Sequence, residues 1–223
     1  MGFLDDLKRQ ADAAKASQDT DTALLARNAA LVEAACKSAF TYFNTLGQQL
    51  EVLQPIAKRR FTLDSRHAFD GLKRCEFKAD ARRKQLRGAD VHDHVVLNFQ
   101  LRSGRKVTIT KDFQPEIDKV EARLRQGGAT VDRETVRDPV NGRLQHVRFE
   151  FTADFFASVK LNPDHDRGVI QFQMLNLDGF ETVTVEFPAI EVGSARLDEL
   201  ARWLVGEPHG FLKDGQQLRL VEA

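Results

Sequence analysis

The stretch His92-Asp-His94-Val-Val-Leu97-Asn-Phe99-Gln-Leu101-Arg102-Ser103-Gly104-Arg-Lys-Val107-Thr-Ile109-Thr110 decides the fold class. Val95, Leu97, Phe99 and Leu101 alternate with His94, Val96, Asn98, Gln100 and Arg102. A side-chain period of two places the first set on one face of a strand and the second on the other. Val107 and Ile109 against Thr108 and Thr110 repeat the pattern, and Ser103-Gly104 between them reads as a two-residue hairpin.

Working outward, the same alternation recurs over 56–63, 71–81, 130–138, 143–152, 156–162, 168–177 and 180–188. Asn141-Gly142 and Asp178-Gly179 supply two further reversals. Strands joined by such short turns pair antiparallel. Two amphipathic segments interrupt them: Pro115 to Gln126, closed by Gly127-Gly128, and Ser194 to Val205, closed by Gly206 with Pro208 beyond. Two helices on one face of the sheet are expected; Ile117, Val120 and Leu124 share their spacing with Leu197, Leu200 and Leu204, which suggests a duplicated strand-strand-helix unit, while the competing reading is coincidence between segments of ordinary strand composition.

Residues 1–54 differ in kind. They contain no proline and only two glycines, and we place a boundary at Pro55 between an N-terminal helical segment (1–54) and an antiparallel α+β domain (55–223). Ser17 to Asp21 reads as a break, followed by one long helix to Leu53. Along it Leu25, Ala29, Val32, Cys36, Ala39, Phe43, Leu46, Leu50 and Leu53 alternate in steps of four and three, the spacing of a coiled-coil stripe. Leu25, Val32, Phe43, Leu46 and Leu50 are the candidate seam of a homodimer. The flanks Ala26, Ala35, Phe40 and Tyr42 widen the apolar face, which also fits burial on the chain's own sheet.

The 223 residues hold 33 Lys and Arg against 33 Asp and Glu, and this balance conceals an asymmetry. Residues 58–88 carry eleven basic and four acidic groups, whereas 164–223 carry five basic and eleven acidic. With the cations at polar strand positions, Arg60, Arg74, Lys78, Arg82, Arg83, Arg102 and Arg148 form the candidate surface for an anionic small molecule or partner. The competing reading pairs them with acidic groups of the same chain. Nucleic acid is not expected, because Phe77, Phe99, Phe149, Phe151, Phe172 and Phe187 take core positions and leave no stacking platform.

Asp90-Val-His92-Asp-His94 has metal-ligand residue types at strand spacing, so a metal-dependent enzyme built on His92 and His94 is the alternative. Asn162-Pro-Asp-His165-Asp-Arg-Gly168 is explained by turn chemistry alone. No glycine-rich phosphate loop or nucleophile elbow is present, and neither cofactor nor catalytic machinery is expected. There is no apolar run of membrane-spanning length and no secretory leader, and Cys36 and Cys75 do not form a C-x-x-C pair. The sequence thus reads as a cytoplasmic, non-catalytic binding or assembly protein.

Overall fold

The computed structural model describes residues 3–223, with the side chains of Phe3, Asp6 to Gln10, Asp12, Lys15, Gln18 and all residues from Thr20 onward. It is an α+β fold: a long N-terminal helix, a seven-stranded antiparallel sheet and two further helices.

Helix α1 (Phe3–Leu53) runs unbroken for 51 residues, about 75 Å at 1.5 Å per residue. The expected break at Ser17 to Asp21 is absent. Thr22 Oγ1 donates to the Gln18 carbonyl at 2.8 Å, so this polar side chain is satisfied inside the helix rather than at a cap. From Val32 onward the apolar stripe lies on the sheet. Val32, Cys36, Ala39, Phe43, Leu46 and Leu50 are buried within the chain, Leu25 is half-buried, and Leu53 is exposed. A Cβ at Gly47 would stand 3.5 Å from Phe77 and 3.6 Å from Leu97, so helix and sheet are in contact there. Each large stripe residue removed from water contributes about 1.5–3 kcal/mol.

A two-residue pair, β1 (Phe61–Thr62) with β2 (Ala68–Phe69), precedes the main sheet. The sheet comprises β3 (Lys73–Leu86), β4 (Ala89–Lys111), β5 (Val131–Arg137), β6 (Leu144–Asp164), β7 (Val169–Leu175), β8 (Glu181–Pro188) and β9 (Gln216–Glu222). Its order is β3-β4-β6-β7-β8-β9, and β5 also pairs with β6. Helices α2 (Gln114–Gln126) and α3 (Ser194–Val205) end at the predicted glycines.

The hairpin expected at Ser103-Gly104 is not formed. β4 continues through these residues and keeps β6 as its neighbour, from Arg102 opposite Asp154 to Lys106 opposite Thr152, four steps on one strand against two on the other. Asp154 causes the bulge. Its Oδ1 accepts both the Ser103 and Gly104 amides at 2.9 Å, and Gly104 takes φ +66, where a side chain would be strained. The first expected strand-strand-helix unit is therefore one bent strand and a helix, whereas the second, β7-β8-α3, is a true hairpin and helix. The reversal between β3 and β4 falls at Arg87-Gly88, both with positive φ.

Register unites one core. Leu97 lies opposite Val159, and Val159 opposite Met174; Phe172 lies opposite Val185. These residues join the stripe of α1 with Ile117, Val120 and Leu124 of α2 and Leu197, Leu200 and Leu204 of α3 in a single hydrophobic cluster. The helices thus share one side of the sheet, and its opposite face carries the polar set.

Candidate functional site

The seven candidate cations do not converge. Arg74 is 1% exposed on the core side of β3, where its guanidinium donates to the Leu204 carbonyl and, at 2.8 Å, to that of Leu177. Arg60 pairs with Asp70 at 3.2 Å, Arg83 with Asp90 at 2.5 Å, Arg102 with Glu76 at 2.5 Å, and Arg148 with Glu150. Six of the eleven cations of residues 58–88 ion-pair with acidic groups, Lys84 with Asp93 and Arg87 with Asp166 among them. Lys78 and Arg82 are exposed on β3 and make no ion pair among the described residues.

Both belong to the uncovered face of the sheet. Strand pairing sets out its rows: Arg82 beside His94; Asp80 beside Val96, then Lys160, Gln173, Thr184 and Arg219; Lys78 beside Asn98, then Ser158 and Leu175. Successive strands stand about 4.8 Å apart, so a row crosses the sheet as a ladder of side chains. Lys160 sits near its middle, also without an ion pair among the described residues. Carboxamides surround it: Asn98, Gln100, Asn162, Gln171 and Gln173. Lys160 escaped the sequence reading because it lies outside the basic segment, although alternation with Val159 and Leu161 already assigns it to this face. Of the core-parity aromatics, Phe99, Phe149, Phe151, Phe172 and Phe187 are buried, and Phe77 stacks on Phe99.

The imidazole pair separates. A register shift sets His94 opposite Arg82 and His92 opposite Arg83, leaving Asp93 as the extra residue on β4. His92 meets α1, where its amide donates to Glu33 Oε1 at 2.7 Å and its Nδ1 lies 2.9 Å from Oε2. His94 Nδ1 instead lies 3.0 Å from Asp93 Oδ2. The expectation that both rings share a side is corrected by this bulge. Among the described residues no group of three or more His, Cys, Asp or Glu is arranged to hold a metal.

A different histidine joins His92. His165, 3% exposed in the turn between β6 and β7, places Nε2 2.9 Å from Glu33 Oε1 and lines a cleft of about 400 Å³ with Lys84, Asp164, Arg167 and Glu186. Burial alone would raise the Glu33 pKa, but hydrogen bonds from His165 and from the His92 amide and ring outweigh it and hold the carboxyl below its ordinary value. Asn28, five residues before Glu33, donates to the Asp166 carbonyl at 2.7 Å. These contacts clasp the middle of α1 to the end of the sheet. Burial, with Glu33 nearby, pushes the Cys36 thiol up to about 12, so it is inert as a nucleophile.

Fold and site together define an α+β protein with a helix-covered sheet whose other face is polar and uncovered. No protein family, no curated protein and no solved structure matches the chain. Among the described residues no helix is long and apolar enough to cross a membrane.

Proposed function

We propose that this chain is a non-catalytic, cytoplasmic binding or assembly protein whose uncovered sheet face receives an anionic ligand or partner. One observation carries the reading: Lys78, Arg82 and Lys160 share that face with no ion pair among the described residues, while six of the eleven cations of the basic segment are paired with acidic groups. Asp80 stands between Lys78 and Arg82 on the same strand and moderates their field. The surrounding carboxamides supply donors without added negative charge, which suits an extended anionic surface. The buried free thiols of Cys36 and Cys75 are consistent with a reducing compartment.

A thermal-shift titration with heparin and polyphosphate tests it. A ligand that binds only the folded state raises the melting temperature, and screening should shrink that rise as salt increases. A flat response at both low and moderate salt would end the anionic-ligand reading.

Assembly rests on a separate observation. The stripe of α1 is buried in its own chain from Val32 onward, yet the described side chains from Phe3 to Leu24 are exposed, Phe3, Leu7 and Leu24 among them. Helices in water gain most of their stability from packing, so this arm is the segment we assign to pairing with a second copy.

A further inference from the structure

The described residues leave two buried side-chain nitrogens without any hydrogen-bond partner, Arg74 Nε and His209 Nδ1. Both belong to the wall of one cleft of about 490 Å³, which Lys58, Arg59, Asp178 and Trp203 also line. We infer that this cleft, on the helix side of the sheet and remote in character from the uncovered face, binds a small oxyanion such as a carboxylate or phosphate.

The charge balance supports this. The terminal nitrogens of Arg74 donate to the carbonyls of Leu204, in the last turn of α3, and Leu177, an arrangement that suits a cation at a helix C-terminus. Those bonds do not serve Nε–H. The nearest carboxylate, Asp178, keeps Oδ1 3.9 Å from the guanidinium and gives Oδ2 to the Trp203 indole N–H at 2.9 Å. Asp178 also faces Arg59 Nε at 3.7 Å. Lys58, Arg59 and Arg74 therefore meet Asp178 and the exposed Glu207, which leaves the wall with one positive charge in excess.

A buried donor left without a partner is costly, most of all on a charged group such as Arg74, and His209 Nδ1 is a second unpartnered buried nitrogen in the same cleft, so one ligand serving both is the simplest account. An oxyanion provides it. Its oxygens accept from Arg74 Nε–H, from Arg59 and Lys58 at the mouth, and from His209 in the tautomer that protonates Nδ1. Burial lowers the His209 pKa, which keeps the ring neutral and free to adopt that tautomer. The His209 and Trp203 rings stack with centroids 4.7 Å apart and planes 12° apart, forming one flat side of the cleft. His209 lies just beyond the end of α3.

Trp203 is the only tryptophan in the chain, so its fluorescence reports on this cleft alone. The full-length protein is titrated with inorganic phosphate and, separately, with succinate at constant ionic strength. We expect a saturable change in Trp203 emission with half-effect below about 10 mM, weakened at least about tenfold in Arg59→Gln and Lys58→Gln, whose side chains are exposed. Arg74→Gln, where it folds, should abolish the response. Lys160→Glu should leave it unchanged, which separates this site from polyanion binding on the uncovered face. A linear or absent response, as for a cleft that holds water only, would overturn the inference, and so would equal responses in the parent and both exposed-residue variants.

Discussion

Glu33 and His165 are 132 residues apart in the chain, and Oε1 of the first meets Nε2 of the second at 2.9 Å. Oε2 of the same carboxylate meets Nδ1 of His92. An ionised carboxylate only accepts, so both rings must present N–H to it, which fixes the tautomer of each neutral imidazole. The long helix is thereby tied to β4 and to the β6-β7 turn through a single side chain.

This clasp has a pH signature. The Glu33 pKa is depressed in the folded state, so its contribution to stability is complete above the unfolded value near 4.5 and is lost as pH falls through the lower folded value. Urea unfolding from about pH 3 to pH 7 should show Glu33→Gln less stable by about 2 kcal/mol at neutral pH, with the difference narrowing in acid. A constant difference across the range would mean that the carboxylate charge is not what holds the helix.

The stripe residues should behave as core. Leu50→Ala is expected to cost about 2–5 kcal/mol, and Leu46→Asp with Leu50→Asp to unfold the chain, because both side chains are buried within it. Circular dichroism on the double variant is decisive: a well-folded monomer would show that these leucines face another molecule instead.

The bulge at Ser103-Gly104 depends on Asp154. Asp154→Ala removes the acceptor of two amides and should destabilise by about 1–2 kcal/mol, with Asp154→Asn recovering part of the loss through its remaining oxygen. Equal stabilities of parent and alanine variant in urea would assign the bulge to other forces.

Much of the fold was legible because alternation and helix spacing are local. Val95 to Leu101 named the core side of β4, and Gly127 and Gly206 marked the ends of α2 and α3. The reading failed where a distant residue decided the outcome. Ser103-Gly104 has the composition of a turn, and its bulge is held by partners about 50 residues onward, Asp154 above all. The Arg87-Gly88 reversal was hidden because arginine is not a usual left-handed turn residue, and the segment was read as charge. The bulge at Asp93 moved His92 away from His94, and nothing local marks Glu33, whose partners His92 and His165 lie 59 and 132 residues onward. Arg74 shared its segment with exposed cations, yet pairing opposite Leu101 sends it to the core side.

The exposed arm of α1 yields a separate expectation. Replacing Phe3, Leu7 and Leu24 together with serine should leave the sheet and the buried part of α1 folded while removing any dependence of the melting temperature on protein concentration. Sedimentation at roughly tens of micromolar should then show a dimer for the parent and a monomer for the variant, if this arm pairs as proposed. A monomeric parent would remove the pairing assigned to this arm.

The uncovered face is tested most directly by measuring the heparin dissociation constant by titration calorimetry at low salt for three proteins. These are the parent, the triple variant Lys78→Glu, Arg82→Glu, Lys160→Glu, and a control, Arg60→Glu with Arg148→Glu, whose arginines already pair with Asp70 and Glu150. We expect the triple variant to bind at least about tenfold more weakly than the parent while the control stays within about twofold. No binding by the parent, or equal losses in the triple variant and the control, would contradict an anion site on this face.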